Sequence, residues 1–280
     1  PGYILLLFGG FCLSWGGFII RSFEEASIWQ ILFLRSFFFL LALIVFLLVT
    51  YKKNTFNIIR ESGLPGLLGG FVLSFSFVAF VVAMSNTTVA NVVFIISTQT
   101  MFLAIFGYIY LKEKVSLIGL ISIFLAMSGI IIMVSDSISV GSLFGNIVAL
   151  AIPINFAILV MIIRKNTKVD MVPAIFYSGI FSLIYGFLLA ESFEFTKHDL
   201  LMGFFLGVPQ LAISFICITI GSRTVESSTV GLLMLMETIC APIWVWLFLN
   251  EVPPLSVFVG GFIIILAIIL KSFDKKNLKV

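Results

Sequence analysis

Long apolar runs separated by brief polar punctuation fill this chain from end to end. Ten runs of roughly 18–25 residues stand out, each long enough to cross a bilayer as a helix. They are Tyr3 to Ile20, Ser27 to Thr50, Leu64 to Met84, Thr88 to Leu111 and Ser116 to Val134, then Gly141 to Ile163, Met171 to Ala190, Leu200 to Gly221, Ser227 to Leu249 and Leu255 to Lys271. The two longest connections, Tyr51 to Gly63 and Glu191 to Asp199, are too small for a soluble domain. Membrane strands alternate apolar and polar residues over about ten positions. These runs are apolar on every face, so the pattern predicts helices. The first run has no small-residue cleavage site after it and reads as a retained helix rather than a signal peptide.

Composition agrees, with 61% hydrophobic and only 10% charged residues; soluble domains carry about 25% charged residues. The placement of charge is more informative than the net +3. If the first helix starts in the cytoplasm, the inner segments hold 13 of the 16 Lys and Arg, from Lys52, Lys53 and Arg60 to Lys275, Lys276 and Lys279. The outer segments hold two, Arg21 and Lys197, and collect Glu24, Glu25, Asp136, Glu191, Glu194, Asp199 and Glu251. Cytoplasmic loops are rich in Lys and Arg, so ten helices with both termini in the cytoplasm are expected; one helix miscounted in the middle would scramble the split. Cys12, Cys217 and Cys240 lack metal or disulfide spacing and read as small core residues.

Sliding the chain against itself by 138 positions aligns Leu73 with Leu211, Ser76 with Ser214, Phe77 with Phe215, Thr100 with Thr238 and Glu113 with Glu251. Two five-helix repeats follow, residues 1–138 and 139–280. An odd helix number inserts the second half upside down, and Glu113 inside against Glu251 outside fits that inversion. Inverted repeats are a transporter architecture with the site at the midplane between halves.

The stretch from Leu235-Met236-Glu237-Thr238 through Pro242 to Leu249-Asn250-Glu251-Val252-Pro253 resembles the EamA type of the drug/metabolite transporter superfamily. Gln99-Thr100 through Leu111-Lys112-Glu113 repeats that pattern, and Phe33-Leu34-Arg35 sits where the family often has Phe-x-Arg. The resemblance covers essentially the whole chain. It implies an all-α membrane protein of ten helices that transports a small solute, and leaves the cargo open. Thr100 and Thr238 stand where the family often has proline, so a kink there must come from elsewhere, with Pro242 a candidate.

Glu237 lies about ten positions into an apolar run. Ionisable groups at such depth usually face a cavity or a partner; Glu237 could bind a cation, exchange a proton, or simply bond a neighbouring helix. Trp15, Ser76, Gln99, Asn155, Gln210 and Ser214 fall at similar depth. Trp244 shares the Glu237 face and Asn91 the Gln99 face, each about two turns away. Glu237 with Trp15 and Trp244 suggests a cation cage; singly, each Ser, Asn or Gln also serves as interhelical glue. Arg35 is the one basic residue well inside a run and either snorkels outward or pairs with an acid. Gly66-xxx-Gly70 and Gly203-xxx-Gly207 suit close helix approach, and Pro153, Pro209 and Pro242 interrupt helices of the second half. His198 reads as a solvated loop residue.

Phosphate, metal-protease and serine-hydrolase signatures are lacking. The expected function is therefore alternating-access transport of a small amine-bearing or zwitterionic metabolite across the inner membrane, with no cofactor and no enzymatic activity. A channel or uniporter is the alternative, and an intramembrane enzyme a weaker one. Expected partners are the solute and the bilayer, without nucleic acid; a homodimer is left open.

Overall fold

The computed structural model describes residues 2–87, 89–135, 143–249 and 254–273. Glu251, Asp136 and the lysines after Phe273 lie outside the described residues, as do the 138/139 boundary and the predicted starts of the fourth and sixth runs at Thr88 and Gly141. Among the described residues the apolar runs are helical and no strand occurs. Eight helical stretches are long and apolar enough to cross a membrane, one of them the 59-residue stretch Ile28–Asn86. A further apolar helix, Leu117–Met133, is shorter.

The first run forms α1 (Gly2–Leu13) and α2 (Gly16–Arg21), and the second forms α3 (Ile28–Tyr51). Ser27 caps α3 in a reciprocal box with Gln30, satisfying orphan amides at the helix start. Lys52 adopts φ 50° and reverses the chain into a 3-10 turn. Next comes α4 (Thr55–Asn86), which contains a sharp bend at Gly63, φ 51°. Glycine takes that backbone without a Cβ penalty. The segment read as a loop is therefore partly helical, residues 55–62. Its exposed Phe56 and charged Arg60 and Glu61 suit a helix lying at the membrane surface.

The fourth run splits into α5 (Val89–Ser97) and α6 (Gln99–Leu111), followed by α7 (Leu117–Val134). The second half continues with α8 (Leu143–Lys165), α9 (Val172–Leu189), α10 (Lys197–Phe205), a π-helical segment Leu206–Ala212, and α11 (Ile213–Ser222). It ends with α12 (Ser227–Met234), α13 (Met236–Leu249) and α14 (Leu255–Ser272). His198 is half-buried, with Nε2 2.8 Å from the Ser22 carbonyl. Buried Asp199 accepts from the Glu24 and Glu25 amides. These residues pin the loop after α2 to α10, so His198 is not simply solvated.

Packing follows the repeat. The first run's α1 packs on α11 of the eighth, and its counterpart α8 packs on α4 of the third. The second run packs on the seventh, the fourth on the ninth, and the fifth on the tenth, through α3·α9, α6·α12 and α7·α14. Exchanging the halves leaves these pairings unchanged. Phe77 and its repeat partner Phe215 meet edge to face at 5.5 Å, as equivalent residues can only beside the pseudo-two-fold axis. Small residues permit the close approaches. A methyl group on Gly207 would lie 2.7 Å from the Arg35 carbonyl oxygen, and one on Gly70 would lie 2.5 Å from that of Ala174. The outward faces keep large apolar side chains such as Phe124, Phe144, Leu188 and Phe262 exposed, as lipid rather than water would allow.

Candidate functional site

Among the described residues, the helices of the first, fourth and ninth runs are interrupted. The first breaks at Ser14–Trp15, the fourth at Thr98 and the ninth at Leu235. The ninth breaks away from Pro242, which α13 absorbs, and the proline-free fourth breaks as well. Hydroxyl groups compete for the backbone at these points: Ser14 and Thr98 donate to the carbonyls of Phe11 and Ile95, three residues earlier. Such back-bonding bends helices. The breaks are also cross-tied. Trp244 Nε1 donates to Ser14 Oγ at 2.7 Å, and Ser97 and Thr238 hydroxyls meet at 2.8 Å. Thr100 donates to the Gly231 carbonyl at 3.2 Å.

The first break gathers most of the expected residues. Gln210, in the π-helical segment, donates from Nε2 to the Leu13 carbonyl at 3.2 Å. Because that carbonyl only accepts, the amide orientation is fixed and Oε1 faces the other way, buried and without a hydrogen-bond partner. Ser214 is buried and donates to the Gln210 carbonyl. Gly10 lets α1 approach Met236 and the Glu237 amide closely. Glu237 is half-buried in the first turn of α13, where the positive end of the helix dipole favours an anion.

Trp15 and Trp244 pack ring against ring in a tilted pair, centroids 4.3 Å apart and 31° between planes. Phe11, Phe18 and Phe248 extend the cluster. Rings this close leave no slot for a cation between them. Gln99 is buried at the start of α6, directly after the matching break. Ser76 Oγ reaches the Ile152 carbonyl at 3.5 Å, and Asn155 lies half-buried three positions on. Asn91 is held elsewhere: it donates to Thr87 Oγ1 and Asn146 Oδ1 in a polar trio beside the start of α8.

Arg35 had no defined partner in the sequence. It is 4% exposed and does not snorkel. Its guanidinium carbon lies 5.0 Å from the ring centroids of both Phe77 and Phe80. The two phenylalanines come from α4, so only the third dimension brings them to the arginine.

A separate polar cluster ties the Lys165 end of the bundle. Glu113 Oε1 accepts from Arg164 Nε at 2.8 Å and also pairs with Nη2, while Oε2 accepts from the Ser227 amide at 3.0 Å. Arg164 also donates to the Ser222 and Val225 carbonyls. Lys112, in the left-handed region, turns the chain so that Glu113 folds back beneath α6. Lys271 pairs with Glu226 at 3.3 Å. A cavity of about 450 Å³ opens near this end between α4, α6 and α8, lined by Pro65, Phe106, Tyr110, Met161 and Lys165. It lies apart from Glu237 and Arg35, so it is not the site assembled at the helix breaks.

A bundle of long apolar helices whose halves pack in equivalent ways defines a multi-pass membrane protein. The chain belongs to the EamA-like transporter family, whose model matches residues 1–135 and again residues 143–273. A solved crystal structure of a protein, 13% identical, superposes with a TM-score of 0.83 over 100% of this chain and 99% of that chain. At that identity the likeness speaks for the fold alone. No curated protein matches the chain in sequence.

Proposed function

We propose that this membrane transporter is a secondary carrier that moves a small amine-bearing or zwitterionic metabolite across the cytoplasmic membrane by alternating access. In this reading the chain crosses ten times, as two inverted halves divided near residue 138, with both termini in the cytoplasm. The observation that carries it is the interruption of the helices of the first, fourth and ninth runs, with Glu237 in the first turn after the ninth run's break and Arg35 buried in the second run. Broken helices expose free backbone groups where they line a binding site. A half-buried carboxylate within a membrane run calls for a partner, and a cationic group of the cargo supplies one. Gln99, Asn155, Ser76, Ser214 and Gln210 offer hydrogen bonds around it, and Trp15 with Trp244 walls the outer side. Asn91 acts at one remove, holding α5 to α8.

The halves rock about the axis marked by Phe77 and Phe215. The Glu113–Arg164 cluster closes the cytoplasmic ends, and its release opens that side. The test is uptake of labelled amines and amino acids into proteoliposomes. A carrier gives saturable uptake that is accelerated by unlabelled cargo loaded on the far side. A channel gives flux that does not saturate and no such acceleration, and that result would overturn the proposal.

A further inference from the structure

The cavity of about 450 Å³ between α4, α6 and α8 has no part in the site at the helix breaks. Helices α4 and α6 both pack on α8 and scarcely on each other among the described residues, and the cavity is the gap left between them. Its lining residues Leu64, Leu68 and Tyr110 are themselves exposed, so the gap opens through the flank of the bundle. The other half closes the matching space. Displaced by 138 positions, Phe106 and Tyr110 correspond to Trp244 and Phe248. Those two rings pack against Trp15 and Phe18 of the first run. Among the described residues, Phe106 and Tyr110 make ring contacts within α6 alone, so nothing in the chain fills their side.

The chemistry of the lining defines what fits. It is apolar along all three helices, as in Leu68, Phe106, Ile158 and Met161, and charged only at Lys165, the last residue of α8. Leu64 and Pro65 enter the lining just after the Gly63 bend, where residues 55–62 turn aside. Amphipathic surface segments lie at the head-group boundary, so this end of the cavity sits at head-group depth and the apolar remainder extends into the membrane. Lys165 is exposed and forms no ion pair among the described residues, whereas its neighbour Arg164 is taken by Glu113. Lys112 follows directly on the lining residue Leu111 and adds positive charge at the same end. A partner helix does not fit, because one turn, about 10–12 Å across and 5.4 Å long, would exhaust the volume. A narrow flexible chain does fit, and roughly 300–1,000 Å³ is the range of small-molecule sites. Basic pockets between membrane helices suit anionic head groups.

We propose that this cavity is a binding site for an anionic phospholipid, with one acyl chain between α4 and α6 and the phosphate on Lys165. Such a lipid is distinct from the cargo of the carrier reading above and stays at the flank of the bundle.

The experiment is native mass spectrometry of the delipidated protein in detergent, offered equal amounts of dioleoylphosphatidylglycerol and dioleoylphosphatidylcholine. Phosphatidylglycerol adducts are expected to exceed phosphatidylcholine adducts by roughly fivefold or more, the factor that about one basic residue contributes at an anionic surface. Lys165→Gln, at an exposed position, is expected to lower that ratio about fivefold. The ratio is read within one spectrum, so differences in the amount of folded protein cancel. Leu68→Trp places a larger side chain in the gap and is expected to reduce retention of both lipids several-fold. Leu188→Trp, on an exposed face of α9, is expected to leave retention unchanged. Should Leu68→Trp not fold, the Lys165→Gln ratio decides alone. Equal retention of the two lipids, or an unchanged ratio in Lys165→Gln, overturns the proposal. Displacement of phosphatidylglycerol by soluble glycerol phosphate also overturns it, since the site would then take a phosphate without a chain. Because binding is read without transport, none of these results bears on the carrier reading.

Discussion

Replacing Glu113 by Gln should loosen the end of the bundle that carries Lys165. The carboxylate accepts from Arg164 Nε at 2.8 Å and from the Ser227 amide at 3.0 Å. Only 17% of the Arg164 side chain and 15% of the Glu113 side chain are exposed. Breaking a fully buried pair costs about 3–5 kcal/mol, because the remaining charge is stranded, whereas an exposed pair contributes about 0–1 kcal/mol. The intermediate exposure, the carbonyls that still hold Arg164, and the acceptor that glutamine retains put the loss at about 2 kcal/mol. At about 1.4 kcal/mol per tenfold, the ratio of open to closed ends should rise roughly 25-fold. The assay is labelling of Ser228→Cys, buried at the start of α12, by an impermeant maleimide in inside-out vesicles. Cys12, Cys217 and Cys240 are replaced beforehand. Glu113→Gln should speed labelling by roughly tenfold or more, and combining it with Arg164→Gln should give less than the sum of the two single effects, since both break the same ion pair. Unchanged labelling, or fully additive effects, would refute the closing role.

Three further outcomes are expected. Cysteine at Lys197 should react with an impermeant reagent in intact cells, and cysteine at Lys165 should not; the reverse would overturn the orientation. Gly207→Ala should lower the unfolding temperature in detergent, because the new methyl meets the backbone of Arg35 and Phe39 at 2.7 and 2.8 Å, an overpacking cost of about 1–3 kcal/mol. Gly261→Ala, with nothing within 4 Å, should leave that temperature unchanged. Sugar phosphates should not compete for uptake, because Arg35 alone within the membrane runs cannot match a dianion; saturable uptake of one would contradict this.

Helix positions were legible because lipid imposes length and apolarity on every run. The apolar pattern predicts the tenth as Leu255 to Lys271, and the helix is Leu255–Ser272. The breaks at Ser14–Trp15, Thr98 and Leu235 were not legible. No proline or glycine marks Thr98 or Leu235, and the bonds that hold the bends, Trp244 to Ser14 and Ser97 to Thr238, join residues at least 141 positions apart. Pro242 was the local signal for a kink in the ninth run, and α13 accommodates it. Residues 55–62 read as a loop because their polar character hides a surface helix. Arg35 was conspicuous as a charge in an apolar run, but its setting required Phe77 and Phe80 from another helix. The repeat had already paired Phe77 with Phe215, without indicating that the two rings touch. Asn91 shows the limit of reading faces from spacing, since its shared stripe with Gln99 ends in the bonds to Thr87 and Asn146.

The most direct measurement is initial uptake by Glu237→Gln beside wild type, at matched surface expression and across labelled amine and amino-acid probes. Glutamine preserves shape and hydrogen bonding and removes the charge. The account predicts loss of saturable uptake with normal expression and normal behaviour in detergent. Uptake at the wild-type rate, with wild-type selectivity among the probes, would contradict the claim that Glu237 receives the cationic end of the cargo.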